Sequence, residues 1–286
     1  MSVAVVILAH DKPGHLHRLV NALDGLPVFL HIDAGTSPEM HKEMTDGLPQ
    51  RVRLLPRISS GWASFGLVEA ELAGYRAACA ETEAHHVVLM TGADYPLVDA
   101  RTLVNRMARS FREQSWVDVQ PLPINDWGLM RGYDRFVFHN KPENRRRIWS
   151  PLPRRWPKGI RPAGGSQLKI LARHHAELLL RIVDSRPDIV KYFKTVWVPD
   201  ETMIPTLLAS PEFGAQRESY HREGNAWYID WGKRPSPNPR WLDETDLPAL
   251  RAARTREVSP VLFARKFRED STALLDRIEQ DLWPLP

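Results

Sequence analysis

Among its 286 residues the chain holds a single cysteine, Cys79, which excludes an intrachain disulfide framework and any cysteine-rich zinc site. A reducing cytoplasm is the compartment expected of such a chain. Long apolar runs are lacking as well. The first, residues 3–9, falls far short of the roughly 20 residues a membrane span needs, so neither a signal peptide nor a transmembrane anchor is expected. Charge of one sign is also scarce: 39 Lys and Arg face 35 Asp and Glu, a formal +4, with 43% hydrophobic and 26% charged residues, which excludes the disordered and fibrous classes. The small basic surplus favours acidic ligands such as phosphate esters and identifies no nucleic-acid partner.

Two nucleotide motifs are absent. The segment His10-Asp11-Lys12-Pro13-Gly14, after the first apolar run, carries neither G-x-G-x-x-G nor G-x-x-x-x-G-K-[ST], which disfavours NAD enzymes and P-loop ATPases. No Asp-x-Asp occurs either, so the paired carboxylates that hold Mn²⁺ or Mg²⁺ against a diphosphate are missing. A diphosphate handled by this chain would need cationic side chains to balance its charge.

What is present is an alternation. Residues 3–9 read as a strand buried on both faces, and Leu16, Leu19, Val20 and Leu23 follow at helical spacing. Apolar runs at 28–32, 52–55 and 87–90, with a helical stripe at Val68, Leu72, Tyr75 and Cys79, continue the pattern and predict a parallel sheet. A helix over 102–111 and a short strand over 116–119 close a half that looks nucleotide-binding. Residues 121–165, rich in Pro, Trp, Arg and Asn, show no sustained period, the mark of a functional or disordered stretch. Helices are expected again over 176–184, about 202–209, 246–253 and 271–282, with a short apolar run at 195–198 and a strand over 226–231. No repeat or low-complexity linker divides the chain, so one domain is predicted over 1–286.

Several residues stand where chemistry is done. Asp33 closes His31-Ile32-Asp33 at the carboxyl end of a strand, where open α/β sheets bind ligands, and it fits a solvated turn equally well. Asp94 leaves the 87–90 strand through a Gly turn, and Asp94-Tyr95-Pro96 as plain turn chemistry competes on equal terms. In Val198-Pro199-Asp200-Glu201-Thr202, a helix capped by Thr202 with Pro205 in its first turn leaves Asp200 and Glu201 on a loop. A carboxylate there suits general-base work, and helix-start electrostatics explains the same acids. Arg265, Lys266 and Arg268 lie among aromatics, with Phe263 and Phe267 at helical i, i+4 spacing. Lys266 suits a phosphate, against the ordinary role of a snorkelling surface cation. Arg145, Arg146 and Arg147 with Arg154 and Arg155 form the strongest basic cluster. No recognition motif accompanies it, so it reads as a solvated or acidic-lipid-facing loop. Trp127, Trp149, Trp156, Trp197, Trp227 and Trp231 offer flat faces that suit sugar rings, although core packing explains most tryptophans.

In chain order, Ile7-Leu8-Ala9-His10, His31-Ile32-Asp33, Gly61-Trp62 with Leu67-Val68-Glu69-Ala70, and Gly92-Ala93-Asp94-Tyr95-Pro96-Leu97 resemble the core-2/I-branching β-1,6-N-acetylglucosaminyltransferase family. Gly165-Ser166-Gln167, Val198-Pro199-Asp200-Glu201, Tyr228-Ile229-Asp230-Trp231 and Phe263-Ala264-Arg265-Lys266-Phe267 continue the likeness over nearly the whole chain. The family also contains the peptide O-xylosyltransferases. The resemblance implies an α/β, GT-A-like fold with a central mostly parallel sheet flanked by helices, a nucleotide-binding half over about 1–120 and an acceptor-binding and catalytic half over about 121–286. It implies inverting transfer of a sugar, GlcNAc or xylose, from a UDP-sugar to a hydroxyl of a glycan or lipid-linked acceptor, with no metal and no other cofactor.

By the same likeness Glu201 falls on the catalytic base, Lys266 on the lysine at the diphosphate and Asp33 near the uracil. Ser166 and Gln167 face a sugar, and Asp94, Asp200 and Trp231 join the sugar or acceptor site. The chain departs from the pattern at Trp227, where animal members carry an arginine that shares the diphosphate charge. Lys233, Arg234, Arg265 or Arg222 is expected to replace it. Animal members are also anchored and disulfide-bonded, so the resemblance here implies a bacterial-type cytoplasmic member with peripheral contact to acidic membrane. The competing expectation is a non-catalytic nucleotide-sugar or glycan-binding protein on the same fold.

Overall fold

The computed structural model describes residues 3–109, 114–143, 146–213, 226–232, 238–256 and 261–285. The wholly apolar strand β1 (Val3–Ala9) is buried along its length. Helix α1 (Pro13–Ala22) starts on a proline, whose missing N–H costs nothing in a first turn. Next come β2 (Val28–Ile32), α2 (Pro38–Thr45), β3 (Val52–Leu54), α3 (Phe65–Glu81) and β4 (His86–Thr91). The Ser37 hydroxyl caps α2 by accepting from Met40 N. Then follow β5 (Asp94–Pro96), α4 (Ala100–Arg109), β6 (Gln120–Pro121), α5 (Tyr133–Val137), β7 (Asn140–Glu143), β8 (Arg146–Trp149) and β9 (Ala163–Gly164). The chain continues through β10 (Lys169–Ala172), α6 (Arg173–Ser185), α7 (Pro187–Phe193), α8 (Met203–Ala209), β11 (Trp227–Ile229), α9 (Leu247–Arg254), β12 (Phe263–Arg265) and α10 (Thr272–Asp281).

The main sheet has the order β10-β4-β1-β2-β3, parallel except for β10, which runs antiparallel to β4. The two-residue period of β1 divides the core. Val3, Val5, Ile7 and Ala9 pack with Leu16, Leu19 and Val20 of α1 and Leu274 and Ile278 of α10, whereas Ala4, Val6 and Leu8 pack with Val68 and Tyr75 of α3 and Leu179 of α6. Helices therefore cover both faces, which is why β1 is apolar at every position. At Gly74 a Cβ would stand 2.3 Å from Val6 Cγ1, so only glycine lets α3 lie this close to the sheet. The α/β architecture with a mostly parallel sheet between helices is the one expected.

A second sheet, β11-β12-β5, has β12 parallel to β11 and antiparallel to β5. It corrects two expectations. Asp94-Tyr95-Pro96 is a strand rather than a turn, and Phe263 opens a strand rather than a helix, with Phe267 just beyond it. The strand expected over 116–119 reduces to one bridge, Trp116 with Ile170, and the apolar run at 195–198 forms turns and bends. Within the irregular 121–165 stretch, β7 pairs with β8 and β9 returns to β6. The antiparallel β10 was not anticipated, because Lys169 interrupts its apolar run.

Candidate active site

Parallel strands direct their carboxyl ends to one edge, and the segments that carry Asp33 and Asp94 leave β2 and β4 from it. Asp33 follows β2. Its Oδ1 accepts from Gly35 N at 2.6 Å, and its Oδ2 accepts from Ser60 N at 2.5 Å and Ser60 Oγ at 2.6 Å. Burial pushes this carboxyl up, but the bonds from Ser60 and Gly35 prevail and hold it below the usual range, so an anionic acceptor faces this edge.

Ser60 belongs to the segment leading into α3, two residues before Trp62. The Trp62 ring meets Trp197 edge-on, 5.4 Å between centroids. Trp197 in turn precedes the 3-10 turn Pro199–Glu201, so one continuous wall joins Asp33 to Glu201. Ahead of that turn Val198 is left-handed at φ 53, a strained setting for a β-branched residue that aims the following segment. Thr202 holds the N-cap position of α8, but its hydroxyl donates to Val198 O at 3.1 Å instead of capping the helix. The Glu201 side chain is 35% exposed. Its Oε2 accepts from Arg135 Nη1 at 3.1 Å, and that guanidinium lies 3.6 Å from the Trp127 ring. The general-base candidate thus reaches solvent while one oxygen is held by a cation locked against an indole.

Glu201 O accepts from Gly165 N at 2.9 Å, bringing the 165–167 segment alongside. Any Cβ at Gly165 would stand 1.9 Å from Asp118 O, so this approach requires glycine. Ser166 Oγ is engaged, accepting from Leu168 N at 3.1 Å, whereas Gln167 Nε2 is buried without a partner among the described residues. Gln167 therefore keeps a free donor.

Asp200 and Asp94, both expected from the sequence at the sugar or acceptor site, turn inward in the fold. Asp200 is 6% exposed, and burial, followed by the neighbouring charge of Glu201, pushes its carboxyl up to about 7. Asp94 is fully buried and raised by burial, with Arg265 opposing. Its Oδ2 accepts from Thr91 N at 2.7 Å and its Oδ1 lies 3.4 Å from Arg265 Nε. Asp94 is therefore an anchor for Arg265. Trp227 stacks on Phe263 at 4.6 Å in the core. Trp231 is 44% exposed, two residues beyond β11. Lys266 stands 4.4 Å from the Trp241 ring. Lys233, Arg234 and Arg222 lie outside the described residues, as does Arg145. Arg147 and Arg154 do not face outward: the first donates to Asp134 and Asn140, the second to Thr195.

Sequence reasoning missed Arg135, Lys12 and a wholly buried pair beneath the site. There Lys169 Nζ donates to Glu71 Oε1 at 2.8 Å, and Tyr75 Oη donates to the same oxygen at 2.7 Å. The signal was available, since a lysine in the run 168–172 and a glutamate three residues after Val68 both stand at apolar positions.

The chain belongs to the Core-2/I-branching enzyme family, whose model matches residues 7–250, and it is a glycosyltransferase. No match was found among curated proteins. Among solved structures, mouse xyloside xylosyltransferase 1 in its apo form aligns over 92% of this chain and 97% of its own, with 12% identity and a TM-score of 0.36. That likeness is too distant to bear on the chemistry. No helix among the described residues is long and apolar enough to cross a membrane.

Proposed function

We propose that this glycosyltransferase moves a sugar, GlcNAc or xylose, from a UDP-sugar to a hydroxyl of a glycan or lipid-linked acceptor in one inverting displacement, without a metal. The observation that carries the proposal is the Glu201 carboxylate, open to solvent and fixed by Arg135. Glu201 takes the acceptor hydroxyl's proton as that oxygen attacks the anomeric carbon. The bond to the β-phosphate oxygen breaks on the opposite face, and UDP departs with the electron pair. One in-line attack inverts the anomeric centre. Lys266 neutralises the leaving diphosphate, Asp33 accepts from the uridine end, and Ser166 and Gln167 line the sugar. The proposed setting is the cytoplasm, where Cys79 stays reduced.

The test is a panel of UDP-sugars screened by thermal shift and calorimetry in parallel with a divalent metal present and with EDTA, followed by UDP release with candidate acceptors. Selective stabilisation by one UDP-sugar is expected, and a Glu201→Gln variant should bind it normally while kcat falls by roughly 10²–10⁴. Near-full turnover by Glu201→Gln would remove the glutamate from its role, and stabilisation lost in EDTA would refute metal independence.

A further inference from the structure

Three cations gather around one indole, that of Trp241. Lys12 follows β1, the central strand of the sheet, in a left-handed conformation at φ 62. Its ammonium lies 5.4 Å from the Trp241 ring, that of Lys266 4.4 Å and the Arg268 guanidinium 5.6 Å from the same ring. Trp241 is pinned between neighbours: Arg240 N donates to Asp230 O at 2.7 Å and Leu242 N to Lys266 O at 2.9 Å. Three cations from two chain segments thus surround one aromatic ring.

The anions nearby do not balance them. Asp11 pairs with Lys12, and Asp94 takes Arg265. Glu269 is occupied at the start of α1, accepting from Gly14 N at 2.7 Å and His15 N at 3.1 Å. Those amides are the groups that bind phosphate in many α/β proteins, and here they are already satisfied. Lys266 and Arg268 have no ion pair among the described residues. Burial, and then the charges of Arg265 and Lys12, push the Lys266 ammonium below its ordinary pKa, the condition of a cation group awaiting an anion.

We infer that Lys12 is the second cation on the donor diphosphate, and that the Trp241 indole is the platform that holds the Lys12 and Lys266 ammonium groups toward it. The inference rests on the transferase reading above. Arg265, the one described alternative expected from the sequence, faces the fully buried Asp94 carboxyl, whereas the Asp11 partner of Lys12 is 44% exposed and can yield to a diphosphate. Lys12 stands instead at the carboxyl end of the central strand, where open α/β sheets take their ligands.

Calorimetric titration with UDP tests it, using the wild type, Lys12→Gln, Lys12→Arg, Lys266→Ala and a remote control, Lys42→Gln, whose side chain is 74% exposed on α2. Loss of one charged contact should weaken UDP binding roughly 10- to 100-fold in Lys12→Gln and in Lys266→Ala, with Lys12→Arg largely restored and Lys42→Gln unchanged. Restoration by arginine also distinguishes a lost contact from a damaged fold, which unliganded melting curves check directly. If Lys12→Gln binds UDP as the wild type does while Lys266→Ala does not, Lys12 loses the role and the transferase reading stands. If the wild type binds neither UDP nor any UDP-sugar, both fall.

Discussion

Asp200 and Glu201 are adjacent in the chain and opposite in setting. Glu201 reaches solvent beside Arg135, while Asp200 is enclosed and its Oδ1 finds no partner among the described residues. Burial and the charge of Glu201 raise the Asp200 carboxyl from 3.8 to about 7. The folded state therefore binds a proton that the unfolded state has lost, and stability drains away as pH rises from about 3.8 through about 7. Asp200→Asn should remove that slope. Urea unfolding at pH 5 and pH 8 is expected to show the variant gaining on the wild type at the higher pH, and an equal difference at both would refute the assignment. The role of Asp200 was not legible from its place in Pro199-Asp200-Glu201, because the motif shows which residues meet and not which of two neighbouring carboxyls turns inward. Only the 3-10 turn decides that.

Between elements, the Glu71–Lys169 pair ties α3 to the edge strand β10 with both side chains fully buried. Removing one partner leaves an uncompensated charge in a low-dielectric interior, so Lys169→Met should cost about 3–5 kcal/mol in urea unfolding. Adding Glu71→Leu to that variant should recover most of the loss. A single variant as stable as the wild type would show that water reaches the pair. The alternating elements of the first half were legible because apolar periods of 2 and 3.6 report burial directly. β10 and β12 were not, since each is short and its burial comes from partners distant in sequence. The helical spacing of Phe263 and Phe267 was real as a count but meaningless for a strand followed by a bend.

Across the whole molecule, burial pushes His86 down to about 4 and His175 to about 3, and it lowers His15 and His31 as well. These imidazoles are held neutral in the fold and take up protons when it opens. Their contribution is full above an unfolded pKa near 6.5 and is lost as pH falls through the folded values, opposite in sign to Asp200. With four such groups against Asp200, the urea midpoint is expected to drop between pH 6.5 and pH 5. A flat or rising midpoint over that window would mean that the histidines are not held neutral.

The residues alone determined the class of fold, the family and the position of Glu201, because these follow from apolar periodicity and short ordered motifs, both local in the chain. Tertiary structure alone decided which groups share a site. Lys12 and Lys266 meet on Trp241 from opposite ends of the sequence, and Arg135 reaches Glu201 across 66 positions. Electrostatic neighbours of this kind are set by chain folding in three dimensions, and no period or spacing along one strand of text encodes them.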